Sequence, residues 1–147
     1  MSTSTIEERV PRATVLFVDR DSDARFAYQS IATAEGFAVE LAADTRQAIV
    51  LANLLLPDAA VVALRSNARD VLDLVRRLHD NPRTRGIPIV VLTSDDHSSL
   101  GAAMRRRGLD AHLLKQCAEW HLYRLLGILV RKWNRRSRAG ASDRKAS

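Results

Sequence analysis

Cysteine is nearly absent from this chain of 147 residues, where Cys117 stands alone. One thiol excludes an internal disulfide and suits a reducing compartment, so the expected location is cytoplasmic. His79, His97, His112 and His121 show no metal-ligand spacing with Cys117, and no zinc site is expected. Glycine is sparse, at 6 residues, and none builds a phosphate-cradling loop after an apolar run, which removes the usual signal for nucleotide binding. No apolar run approaches the roughly 20 residues of a membrane span. The opening residues carry Glu7, Glu8, Arg9 and Arg12, so they read as neither a signal peptide nor an anchor.

What is present is ordinary for a globular chain, with 46% apolar and 27% charged residues. The length fits one domain. The net charge of +6 resembles a nucleic-acid signal until it is divided along the chain. Residues 131–147 hold seven basic residues against Asp143 alone, which accounts for the whole excess and leaves the preceding body formally neutral. The expected organisation is therefore a flexible arm over residues 1–13, a folded domain over 14–133 and a disordered basic tail over 134–147.

The body alternates two kinds of segment. Thr14–Val18 is a β-branched and aromatic run ending at Asp19, Ala59–Leu64 is apolar without alternation, and Ile87–Thr93 is nearly so. Such runs read as strands covered on both faces. Phe37–Ala42 alternates and Asp110–Lys115 is short and mixed, which suits sheet edges. Between them the spacing predicts helices. One runs over about Asp23–Ala34, with Phe26, Ile31 and Tyr28 as apolar contacts and Gly36 ending it; another is capped by Asp44 or Thr45, with Leu51, Ala52 and Leu55 on a broad apolar side. A third covers Asp70–His79, a fourth reaches about Arg107, and the last carries Leu122, Leu126 and Leu129. Five strands alternating with five helices predict a flavodoxin-like α/β sandwich, with a parallel sheet of order 2-1-3-4-5.

In joint register, VLFVD with Arg25 six residues after Asp19, then EGF, AADTRQAI, LPDAAVV, DVLDLVRRL, TRGIPIVVLTS and RGLDAHLLK resemble the receiver domain of two-component response regulators. The resemblance covers about Thr14–Val130. It implies phosphoryl transfer to an aspartate ending the third strand, assisted by a divalent metal held partly by two adjacent acids after the first strand. A hydroxyl ending the fourth strand and a lysine ending the fifth complete that pocket. By position, Asp19 matches the first acid, Thr93 the hydroxyl and Lys115 the lysine.

Other positions depart from the pattern. Arg20 stands where the second acid would be, and Ala63 stands where the phosphoacceptor would be. Ser66, Asn67 and Val71 replace a Met-Pro pair and a glycine, and Gln116 replaces a proline. An alanine offers no nucleophile, and a guanidinium repels a divalent ion that wants carboxylates. Binding of Mg²⁺ is therefore expected to be lost or weak. Arg20 and Lys115 are expected to pair with Asp19 and, together with Asp21, to leave the degenerate pocket neutral without an ion; a solvent-facing Arg20 is the alternative. Asp58, at the other end of its strand, and Asp70, in or near the next helix, are not expected to reach the pocket.

The resemblance places dimerisation or partner contact on the fourth helix, fifth strand and fifth helix. Arg106, His112, Trp120 and Tyr123 are the candidate residues there, the two aromatics lying off the leucine stripe. The tail residues Arg131, Lys132, Arg135, Arg136 and Arg138 could attract nucleic acid, an acidic protein or anionic lipid, or could serve as a solvated tail. The function expected from these readings is that of an atypical, stand-alone and non-enzymatic receiver acting by protein contact. Its expected partner is a histidine kinase or another response regulator. The alternatives are phosphorylation at a non-standard residue and a nucleic-acid role for the tail.

Overall fold

The structure, a computed structural model, describes residues 13–63, 68–93, 98–115 and 122–132. Its elements are β1 (Thr14–Val18), α1 (Ser22–Ala34), β2 (Ala38–Ala42), α2 (Thr45–Leu55), β3 (Ala59–Val62), α3 (Ala68–Asp80), β4 (Ile89–Thr93), α4 (Ser98–Arg106), β5 (His112–Lys115) and α5 (residues 122–132). All strand pairings are parallel, and the sheet order is β2-β1-β3-β4-β5. The two segments of mixed polarity are the edges, as their pattern required.

Side-chain alternation along the buried strands divides the core between the two faces of the sheet. Leu16, Val18, Ala60, Val62 and Val91 pack with Ala48 and Ala52 of α2, with Val71, Leu74, Val75 and Leu78 of α3, and with Met104 of α4. Val15, Phe17, Val61, Ala63 and Val90 pack with Tyr28 and Ala32 of α1 and with Leu122, Leu126 and Leu129 of α5. Because α-helices return each strand's chain to the start of the next, every strand ends at one pole of the molecule and every helix ends at the other.

Local chemistry sets the boundaries. Asp21 caps α1 by accepting from the Asp23 N–H at 3.0 Å, and Gly36, at φ +95°, takes the left-handed turn after it. Asp44, rather than Thr45, caps α2 through the Gln47 N–H at 2.8 Å, while the Gln47 side chain accepts from the Ala43 N–H. The α2 C-cap is Leu56, a leucine at φ 47°, where glycine or asparagine is the usual occupant. Thr84 is buried in the α3–β4 turn, and its hydroxyl donates to the Leu78 carbonyl at 2.7 Å.

Three side chains expected inside or at an interface lie elsewhere. Phe26 is 71% exposed, because it stands about 200° around α1 from Tyr28, the aromatic that does enter the core. Leu55 is also exposed, leaving Ala48 and Ala52 as the buried face of α2. Tyr123 is buried at 8% with Leu122 and Leu126, so it is not a free anchor for a partner. The apolar stripe of α5 is wide enough to take in two successive residues.

Candidate functional site at the strand ends

The crevice is built by register. Val18 of β1 lies between Ala42 of β2 and Val62 of β3. The next residues continue this pattern: the Asp19 N–H donates to the Ala42 carbonyl at 3.0 Å, and the Ala63 N–H donates to the Val18 carbonyl at 2.8 Å. Asp19 and Ala63 therefore sit side by side at the ends of neighbouring strands, each 1% exposed. Thr93 ends β4, and Lys115 pairs with it in register at the end of β5. The topology thus gathers Asp19, Ala63, Thr93 and Lys115 at one pole. The Lys115 side chain lies outside the described residues, as do Ser66, Asn67, Gln116, Trp120 and the tail residues Arg135, Arg136 and Arg138.

Within this pole the acids are engaged by the chain itself. Oδ1 of Asp19 accepts from the Asp21 N–H at 3.0 Å, and Oδ2 accepts from the Tyr28 hydroxyl at 3.2 Å. Arg25 donates to the Asp19 carbonyl at 2.7 Å, which secures the turn from outside. The ring of Tyr28 stacks on Phe17, with centroids 4.9 Å apart, so its hydroxyl is aimed by packing. Asp21 uses its carboxylate as the α1 cap. Arg20 extends across the crevice mouth and forms an ion pair with Asp70 in the first turn of α3. The expectation that Asp70 would stay away from the pocket is corrected by this contact, since α3 begins at Ala68 and its first turn faces the β1–α1 loop.

The Thr93 hydroxyl is buried and has no hydrogen-bond partner among the described residues. A buried hydroxyl in that state costs free energy, and the Thr45 hydroxyl in the first turn of α2 is in the same state. Sequence reasoning missed Tyr28 and Asp70 as members of the site. The polar tip of Tyr28 was the available signal, whereas nothing in the local sequence marks Asp70 as a partner for Arg20.

The donor set does not suit the divalent ion that this fold implies. One carboxylate, that of Asp19, faces an alanine methyl where a second would be needed, and Arg20 brings a cation to the rim. No group of three His, Cys, Asp or Glu side chains among the described residues could hold an ion.

Comparison with known proteins identifies the family and the fold. The response regulator receiver domain family matches residues 15–126. Response regulator MprA of Mycolicibacterium vanbaalenii is 33% identical over 130 residues, which make up 87% of this chain and 54% of that protein. MprA of a Mycobacterium species, strain KMS, is 32% identical over 120 residues, or 80% of this chain and 50% of that protein. The chain thus spans about half the length of these curated relatives. Among solved structures, the chemotaxis protein CheY4 of Vibrio cholerae superposes with a TM-score of 0.71 at 22% identity, covering 81% of this chain and 99% of that one. A CheY-like receiver domain protein from Methanospirillum hungatei gives 0.73 at 17% identity, covering 86% and 99%. These likenesses show the flavodoxin-like, CheY-like fold.

The chain belongs to the response regulator receiver domain family, the signalling module of two-component systems.

Proposed function

We propose that this receiver works without phosphorylation at the end of β3 and without a bound divalent metal, and that it signals by protein contact rather than by catalysis. The observation that carries the reading is Ala63, a buried methyl beside Asp19 at the end of the central strand. A methyl cannot attack a phosphoryl group. The contacts of Asp19 and Arg20 support the same reading, because the Tyr28 hydroxyl occupies a carboxylate oxygen that a metal would use, and the pair with Asp70 holds the Arg20 cation at the rim where a metal would be repelled. Contact with a histidine kinase or another response regulator would use α4 and β5, where Arg106 and His112 are exposed. Association of two copies through α4, β5 and α5 belongs to the same proposal.

The test is incubation with acetyl phosphate and Mg²⁺, followed by intact-mass analysis and peptide mapping. The expected result is an unmodified chain, beside full labelling of an ordinary receiver run in parallel. An adduct on any residue overturns the reading, and mapping would then identify a non-standard acceptor.

A further inference from the structure

The pole opposite the crevice, where the helices end, carries two features that the receiver reading leaves unused. One is a corner of exposed leucines: Leu54 at 72%, Leu55 at 42% and Leu56 at 41%. These residues close α2, and Leu56 turns the chain in the left-handed conformation, so three apolar side chains stand in water where a short polar turn would serve the fold as well. The other is a row of exposed cations at the ends of successive elements. Arg83 and Arg85 lie in the α3–β4 turn, Arg105 lies in the last turn of α4 and Arg107 just after it, and Arg131 and Lys132 close α5. None of the six has an ion-pair partner among the described residues.

The two features adjoin. Arg83 donates to the Asn53 carbonyl at 3.0 Å, and Asn81 donates to the Asn53 side chain at 2.6 Å, which ties the α3–β4 turn to the residue preceding Leu54. Further along the row, a cavity of about 280 Å³ is lined by Arg85, Lys132, His79, His112 and Asp110. Acids at this pole are few in number or already engaged. Asp58 accepts from the Thr14 N–H, Asp80 is within ion-pair distance of Arg76 and His79, and Asp110 and Glu35 remain exposed. Cations in a last helical turn complement the helix macrodipole. That accounts for Arg105, Arg131 and Lys132, and Arg83 and Arg85 each donate to a carbonyl in the last turn of a helix, Asn53 of α2 at 3.0 Å and His79 of α3 at 2.7 Å, but nothing in the fold uses the leucines.

We infer that this pole is a docking face for an anionic phospholipid surface, with Leu54 and Leu55 entering the headgroup boundary and the arginine row lying over the phosphates. Apolar side chains flanked by unpaired cations match the two-part chemistry of such a surface. A nucleic acid would satisfy the cations and leave the leucines exposed. The crevice, at the far ends of the strands, would face away from the bilayer.

The experiment is flotation of the full chain with vesicles of phosphatidylcholine alone and of phosphatidylcholine with about 30% phosphatidylserine. Binding is expected with the anionic vesicles and is weakened by salt. Leu54→Ala with Leu55→Ala should lower the partition coefficient about tenfold. Arg83→Ala with Arg85→Ala should lower it about thirtyfold, at roughly 1 kcal/mol per charge near the surface. Arg46→Ala with Arg69→Ala, at the opposite pole, should leave it unchanged. All these side chains are exposed, and thermal melts confirm that each variant folds. No binding to anionic vesicles, a leucine variant that binds as well as the parent, or loss of all binding on removal of residues 134–147 would each overturn the inference. Salt-sensitive binding to duplex DNA that ignores the leucine changes would replace it with a nucleic-acid face.

Discussion

The two poles of this molecule handle charge in opposite ways. At the strand ends, Asp19 is buried and receives hydrogen bonds from Tyr28 and Asp21, while Arg20 is paired with Asp70. At the helix ends, six cations from three elements stand without acidic partners among the described residues, beside three exposed leucines. A pole whose charges are satisfied internally gains little from a ligand. A pole with unsatisfied charges and exposed apolar surface has free energy to gain from one. At the usual functional end of a receiver, Asp19 and Arg20 are therefore met from within the chain.

The largest expected effect comes from undoing that self-containment. Ala63→Asp places a second carboxylate beside Asp19 in a site that is 1% exposed, where two like charges repel with little water between them. An uncompensated buried charge costs about 3–5 kcal/mol, which would appear as a lower urea midpoint. Added Mg²⁺ should restore little of this while Arg20 remains. In the double variant Ala63→Asp with Arg20→Asp, Mg²⁺ should raise the midpoint by binding the folded state. Equal metal response in both variants would mean that Arg20 plays no part in excluding the ion.

A smaller effect is expected from Tyr28→Phe. The ring still fills its place against Phe17, but Asp19 loses the donor on Oδ2. Hydrogen bonds to charged groups contribute about 1.5–3 kcal/mol, so a loss in that range on chemical denaturation is expected. A change within error would show that water replaces the hydroxyl and that the crevice is more open than its burial indicates.

The fold was legible because buried strands have a plain signature. Continuous apolar runs marked β1, β3 and β4, and mixed runs marked the two edges. The crevice was legible as far as register reaches, since Asp19, Ala63, Thr93 and Lys115 are fixed by where strands end. Contacts made by side chains across the fold were not. The Arg20–Asp70 pair spans 50 positions in sequence and depends on where α3 begins. Leucine reads as core in any pattern, so nothing marked Leu54 and Leu55 as exposed. Phe26 and Tyr28 lie two residues apart on one helix, and pattern alone did not decide which would enter. Tyr123 looked free because the α5 stripe was read too narrowly.

The smallest effect tests the rim. Arg20 and Asp70 are 58% and 32% exposed, so solvent screens their attraction even though the contact is close. A double-mutant cycle with Arg20→Ala and Asp70→Asn should give a coupling of about 0.2–1 kcal/mol, diminishing with salt. A matched cycle on Arg105 and Asp110, which share the other pole without forming an ion pair among the described residues, should give no measurable coupling. If the second cycle equalled the first, the contrast between a paired and an unpaired pole would fail, because the helix-end cations would then be satisfied by neighbours rather than held open. If the first cycle exceeded the surface range, the Arg20–Asp70 contact would be a structural closure of the crevice, with its charges better shielded from water than their exposure implies.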